Sequence, residues 1–183
     1  MDEKHLTEET LSTETVFEGR IFDLRVKAVR LPDGSSSQRE VIQHPGAVAV
    51  VPLHGNQRVI LVRQFRSALE TILWEIPAGT LEPGEEPLAA AERELREEIG
   101  YHPNNLIPLG GIHVAPGYSS EYIHIYLSTD LSPASSDADV DEFIEKHDIL
   151  LSEALTMLRS GQITDAKTIT GLLLTEQYLN NQI

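Results

Sequence analysis

The sequence predicts an α+β sandwich, and three observations carry that expectation. Strand-like runs and helical patterns are mixed along the chain without strict strand–helix alternation, which argues against a doubly wound parallel sheet. Two runs, Ala47–Leu53 and Arg58–Phe65, are almost continuously apolar, as central strands covered on both faces must be. The chain has 183 residues, 40% of them hydrophobic, enough for one domain with a real core and a small appendage.

The elements follow in order. Residues 1–13 show no periodicity and read as a loosely docked arm. From Thr15 to Ile42 the pattern is strand-like, broken by Pro32-Asp33-Gly34-Ser35, residue types that favour a hairpin turn. The two apolar runs form a second hairpin around His54-Gly55-Asn56-Gln57. Trp74–Ala78 reads as a short strand leading into Gly79. Pro87 at the first helical position and Gly100 just past the last bracket a helix over 87–99. Leu106–His113 and Tyr122–Ser128 are further strands, and Ser132–Asp141 reads as a mobile acidic loop. Two helices finish the chain, one over Ser152–Arg159 with Ser152 as N-cap, the other from Asp165 to Leu179. Residues 1–44 are thus expected to form an N-terminal arm and hairpin, and residues 45–183 the main domain.

Composition narrows the function. Twenty-nine acids against fourteen bases give a formal charge of −15, which repels polyphosphate backbones and anionic lipid, so neither nucleic acid nor a membrane is an expected partner. If the substrate is a small anion, a divalent cation is the natural bridge between two negative partners. No apolar run is long enough to cross a membrane, and the acidic start MDEKHLTEETLSTET is the opposite of a signal peptide. The absence of cysteine excludes disulfides and thiolate metal sites and fits a cytoplasmic location. The seven histidines show no ligand spacing, and no serine–histidine constellation suggests covalent catalysis.

The chemistry is concentrated in residues 79–101, GTLEPGEEPLAAAERELREEIGY. On a helix at about 100° per residue, Leu88, Ala91, Leu95 and Ile99 form one core-facing stripe. Glu94, Glu97 and Glu98 then gather along one edge of the exposed side. A solvated helix softened by Arg93 and Arg96 is the bland reading, since charge runs are usually solvated faces. The context favours a metal site instead. A loop with two glycines and a proline precedes the helix, Glu85 can pair with a helix arginine to fix loop against helix, and paired carboxylates suit hard cations.

Gly79, Glu85 after five residues, and after seven more Arg93-Glu94-Leu95, Glu97-Glu98 and Gly100 match the Nudix box position by position. Only Tyr101 departs, where that family has an aliphatic residue. WEIPAG at 74–79, Pro116 beyond the box, GRIFDLRV at 19–26 and DAKTITGLLL at 165–174 are similar to the ADP-ribose pyrophosphatase subgroup. The resemblance implies a Nudix fold, a mixed sheet sandwiched between helices (α/β/α), with a small N-terminal antiparallel sheet that exchanges contacts in a homodimer. It also implies hydrolysis of ADP-ribose to AMP and ribose 5-phosphate. The same chemistry on another nucleoside diphosphate sugar or a dinucleoside polyphosphate is the alternative, and a non-catalytic nucleotide-sugar sensor is the alternative of another class.

Site residues also follow from the resemblance. The carbonyl of Ala78 and the carboxylates of Glu94 and Glu98 are expected to ligate Mg²⁺, with Mn²⁺ as the other candidate metal. Glu97 is expected as a further ligand or as general base. A distant loop acid completes the site in the subgroup; Asp137, Asp139, Asp141, Glu142 and Glu145 compete, and Glu142, just before Phe143-Ile144, is the choice. Arg66 resembles a phosphate-binding arginine, with a surface salt bridge as the other reading. Arg39 with Glu40 beside it matches the adenine end, Phe22 the stacking ring, and Pro116, Gly117 and Glu121 the loop at the terminal ribose. Ile21 stands where a second ring is expected, and Val140 where a second loop acid is.

Overall fold

Strand β1 (Glu9–Glu18) is ten residues long and exposed at every position. It pairs antiparallel with β2 (Asp23–Arg30), which pairs antiparallel with β3 (Ser36–Gln43). The expected arm is in part strand: a 3-10 turn at Lys4–Leu6 is followed two residues later by β1, which takes up residues 9–13 of it. A strand with neither face buried shows no alternation, so only its Thr, Val and Phe content marks it as β. Two register shifts, at Leu11 and Val16, bulge this edge strand. The single strand-like stretch from Thr15 to Ile42 is broken twice. Gly19–Phe22 closes the first hairpin, with Gly19 N–H donating to Phe22 O at 3.1 Å. Asp33 closes the second by accepting from the backbone and hydroxyl of Ser35 at 2.9 and 2.6 Å.

The computed structural model describes residues 3–55, 57–135 and 143–182. Contacts divide the chain into two units, Met1–Gly46 with His113–Tyr122, and Ala47–Ile112 with Ile123–Ile183. In the first, the segment after His113 is zipped onto β3: Ile42 N–H donates to Tyr118 O at 2.8 Å and Ser120 N–H to Ile42 O at 2.9 Å.

The second unit is built on β4 (Ala47–His54), whose first seven residues are all buried. The sheet continues through β5 (Arg58–Arg66), β6 (Thr71–Glu75), β7 (Ala78–Thr80), β9 (Ile107–His113), β10 (Tyr122–Ser128) and β12 (Glu145–Leu150). Its main path runs β12-β5-β4-β10-β9, with β6 on β5 and β7 on β4. The β4–β10 pair is parallel while β4–β5 is antiparallel, so the sheet is mixed. A separate two-stranded piece joins β8 (Tyr101–Pro103) to β11 (Leu131–Pro133), which replaces the start of the expected acidic loop.

The pleat of β4 sorts its side chains between two cores. Ala47, Ala49, Val51 and Leu53 pack with Leu151, Ala154 and Leu155 of α2 (Leu151–Arg159) and Leu172 of α3 (Ala166–Asn180). Val48 and Val50 pack with Ala90 and Ala91 of α1 (Pro87–Glu94) and with Leu95 and Ile99 beyond it. The sheet is thus sandwiched between helices, as expected. Helix α3 is capped by Asp165, which accepts from Thr168 N–H at 3.0 Å. Ser152 does not cap α2; the position falls to Leu150, which makes no side-chain cap, while Leu151 N–H bonds to Gln57 O. Burial of Leu151, 4% exposed, draws the helix start one residue earlier than the polar residue suggests.

After Glu94 the helix continues to Ile99 as a π turn and stops at Gly100, whose φ of 76° is left-handed. Leu88, expected in the core, is 51% exposed, and Ala90 takes its place among the buried residues. Glu94 and Glu98, expected on the exposed side, are 9% and 6% exposed. Glu94 is buried against Gly79 of β7, and the π turn that follows shifts the phase of residues 95–99 and brings Glu98 to Ala78 of the same strand.

Candidate active site

A single guanidinium locks the loop that precedes the helix. Arg93 donates through Nε and Nη2 to both oxygens of Glu85, at 2.9 and 3.0 Å, the fork geometry that makes arginine–carboxylate pairs strong. Glu85 also accepts from Glu82 N–H at 3.0 Å, and Arg93 Nη2 reaches Thr80 O at 3.3 Å. The loop from Thr80 to Glu85 is thereby tied to the helix at both ends, with Arg93 as the helix arginine that Glu85 was expected to find. The hydrogen bond from Arg93, opposed only in part by burial, holds the Glu85 carboxyl below the usual carboxylate range. The bond to Glu85 likewise raises Arg93, against burial, with the charge of Glu94 adding to it.

The same guanidinium orients two acids of the helix. Its Nη1 donates to Glu94 at 2.7 Å and to Glu97 at 3.0 Å. Glu94 lies so close over β7 that a Cβ on Gly79 would overlap all three atoms of its carboxyl group. Glycine is required here by close approach. Glu98 accepts from Ala78 N–H at 3.3 Å. Ala78 and Gly79 are themselves set by pairing with Ala49 and Val48, and Pro77 O accepts from Val50 N–H. The buried apolar strand therefore places the backbone against which both carboxylates pack.

The donors gathered here are carboxylate oxygens, the hard ligands that Mg²⁺ and Mn²⁺ prefer. Among the described residues no three His, Cys, Asp or Glu side chains converge as a closed metal cage. An open set of two buried carboxylates still fits a cation that retains several waters.

Arg66, at the end of β5, donates through Nε and Nη2 to Glu75 of β6 at 2.7 and 2.6 Å. Glu75 is 1% exposed and is also paired with Lys167 of α3. Burial pushes the Glu75 carboxyl up, but the bonds from Arg66 and Lys167 outweigh it and leave it below the ordinary range. Arg66 is raised chiefly by its bond to Glu75, against burial, and the negative charges of Glu98 and Asp165 also act on it. Sequence reasoning missed Glu75 and Lys167. The signal was present: a charged residue between Trp74 and Ile76 in an apolar strand must find a partner.

The other expected binding residues lie in the first unit. Arg39, Pro116 and Gly117 line one cavity of about 360 Å³, with Lys27 and Glu8. Arg39 is held there by Glu8 at 2.5 Å and by Ser37 at 2.9 Å. Glu40, its neighbour on β3, faces the other side of the sheet, as strand alternation requires. Phe22 lines a different cavity of about 290 Å³ and packs against Phe17 with ring centroids 6.2 Å apart. Glu121 closes the 114–121 loop by accepting from Val114 N–H at 3.3 Å. Of the loop acids, Asp137, Asp139, Asp141 and Glu142 lie outside the described residues. Glu145 is in β12 and pairs with Arg63 at 3.0 Å.

The Nudix domain model matches residues 43–169, and that of the nucleoside diphosphate sugar hydrolase N-terminal domain matches residues 8–42. An ADP-ribose pyrophosphatase of Bacillus subtilis (strain 168) is 42% identical over 167 residues, 90% of each chain. A methanol dehydrogenase activator of Bacillus methanolicus is 40% identical over 181 residues, 98% of this chain and 96% of its own. The crystal structure of an ADP compounds hydrolase matches with a TM-score of 0.85 and 27% identity, over 96% of both chains. Its box residues, its sandwich and these matches agree: the chain belongs to the Nudix family.

Proposed function

We propose that the protein hydrolyses the diphosphate bond of ADP-ribose, giving AMP and ribose 5-phosphate. The observation that carries this reading is the pair of buried carboxylates, Glu94 and Glu98, packed on Ala78 and Gly79 beside a loop locked by Arg93. The substrate is suggested by the relative named ADP-ribose pyrophosphatase. Glu94, Glu98 and the Ala78 carbonyl would hold a divalent cation, Mg²⁺ or Mn²⁺, which when bound supplies charge neutralisation and an acidified water. Glu97 serves either as a further ligand or as the base that takes the proton of the attacking water. In the base role, the water oxygen forms a bond to phosphorus as the bridging P–O bond breaks. Glu142 is the assisting loop acid of this reading. Arg66 meets a phosphate; Arg39, Glu40 and Phe22 are assigned to the adenine end, and Pro116, Gly117 and Glu121 to the terminal ribose.

The protein acts as a cytoplasmic homodimer in this reading. Support for the dimer comes from β1, an edge strand that exposes Leu11, Val16 and Phe17, 43–55% open to solvent. Among the described residues no helix is long and apolar enough to cross a membrane.

The test compares turnover of ADP-ribose, GDP-mannose and diadenosine tetraphosphate with Mg²⁺, for the native chain and Glu98→Gln. ADP-ribose is the expected best substrate, with turnover collapsing in the variant by two orders of magnitude or more, roughly. No turnover of ADP-ribose beside strong turnover of another substrate overturns the assignment. A second reading, regulation of a dehydrogenase, is favoured by the match to the methanol dehydrogenase activator over 98% of this chain. Stimulation of an alcohol dehydrogenase that survives Glu98→Gln would favour it.

A further inference from the structure

Two cations converge on Glu75, although one suffices to neutralise a single buried carboxylate. Arg66 takes it through Nε and Nη2, and Lys167 Nζ shares Oε2 with Arg66 Nη2. The strand register sets Arg66 across from Thr71 and Glu75 across from Val62, so the Arg66 side chain must run back along the hairpin to reach it. Lys167 is anchored in turn by Asp165 at 3.1 Å. Asp165 accepts from the Thr168 hydroxyl at 2.6 Å, and that hydroxyl accepts from Ile76 N–H at 2.8 Å. The start of α3 thus grips Ile76, the residue just past the end of β6.

This network leaves one edge of Arg66 unused. Its Nη1 has no hydrogen-bond partner among the described residues, and its side chain is 39% exposed while Glu75's is 2%. The charge of Glu98 acts on it. A guanidinium pinned along one edge presents its remaining N–H groups in a fixed plane, suited to a phosphoryl oxygen.

We propose that Lys167, acting through Glu75, is a positioning residue for the substrate diphosphate: it fixes the plane in which Arg66 presents Nη1 to a phosphoryl oxygen. Lys167 contributes in two ways. It restrains rotation of the Glu75 carboxylate that orients Arg66, and it balances Asp165, so that the two cations and two anions sum to zero. Without Lys167, Arg66 faces Glu75, Asp165 and Glu98 alone and is drawn inward. This inference rests on the proposed diphosphate substrate.

The experiment is a double-mutant cycle of Lys167→Met and Arg66→Ala. It is read as KM and kcat for ADP-ribose with Mg²⁺ and as calorimetric affinity for the non-hydrolysable methylene-diphosphate analogue. If the native chain does not turn over ADP-ribose, the proposed function fails, and the cycle is not what decides it. Given turnover, Lys167→Met is expected to raise KM and weaken analogue binding about tenfold, with kcat changed less. Lys167→Arg restores most of the loss. In the Arg66→Ala background, Lys167→Met has little further effect, because the two act through one contact. A purely structural ion pair lowers the melting temperature without that coupling. Native analogue affinity in Lys167→Met, or effects that simply multiply, overturns the inference. Should Lys167→Met not fold, Glu75→Gln, which keeps the side-chain shape, runs the same cycle with the same outcomes.

Discussion

Replacing Gly79 by alanine tests the close approach on which the carboxylate arrangement depends. The added methyl would fall on Cδ and both carboxylate oxygens of Glu94, so no small adjustment accommodates it. Either Glu94 leaves its position or β7 lifts from β4, where Gly79 pairs with Val48. Overpacking of this kind costs about 1–3 kcal/mol. Moving Glu94 also breaks its 2.7 Å bond to Arg93, although a carboxylate that swings into water recovers solvation and offsets part of that loss. For a chain of this size each kcal/mol lowers the melting temperature by about 2–4 °C, so a fall of roughly 3–10 °C is expected. Activity should fall further than stability, because in the proposed reaction Glu94 holds the cation, and a carboxylate displaced by a full side-chain rotation no longer reaches it, a loss on the order of a hundredfold. The assay pairs thermal melting with ADP-ribose turnover, and Gly55→Ala is the control, since its methyl meets nothing within 4 Å among the described residues. Turnover within about threefold of the native chain, well short of the hundredfold loss expected of a misplaced ligand, would refute the claim that Gly79 exists to admit Glu94.

Two further outcomes follow from contacts in the structure. The Glu85 carboxyl is depressed by Arg93, so its contribution to stability is present above its unfolded pKa of about 4.3 and is lost as pH falls through the lower folded value. Glu85→Gln should therefore melt earlier than the native chain near neutrality, and the two should converge in acid; parallel melting curves at every pH would count against the clamp. Gly171 of α3 meets Ile76 and Val51 so closely that an added Cβ would lie 2.9 and 3.0 Å from their methyl groups. Gly171→Ala should lower stability by under about 1 kcal/mol in denaturant titration, because overpacking is offset in part by the gain in helix propensity, and a midpoint raised by the full propensity gain would mean that the side chains yield freely.

What could be read from the sequence was what depends on local pattern. The unbroken apolar run of β4 announced burial on both faces, and the two cores confirm it. That Glu85 would pair with a helix arginine was legible from its place at the loop exit, and the structure makes that arginine Arg93. Asp165 capped the last helix because a polar residue before an apolar run has a backbone donor to satisfy. What escaped depends on distant partners. Strand β12, EKHDIL, is nearly all polar or charged over its first four residues and is strand only because it pairs with β5, far away in the chain. Lys167 meets Glu75 across a separation of 92 residues, which no local window contains. The π turn after Glu94 is a shift in hydrogen-bond register that residue types do not encode, and with it went the burial of Glu98. Glu94 is buried before that turn, by the close approach of Gly79 in β7, so the expectation of an exposed ridge failed at both ends for reasons of tertiary packing.

The alternation of β4 has an evolutionary consequence. Val48 and Val50 share a packing layer with the helix that bears the carboxylates, whereas Ala49, Val51 and Leu53 share theirs with α2 and α3. Substitutions of the first parity press directly on the helix to which the proposed reaction assigns the metal. Those of the second are absorbed by a scaffold layer on the far side of the sheet. One strand thereby lets a lineage retune its stability on one side while the reaction on the other is held under separate selection.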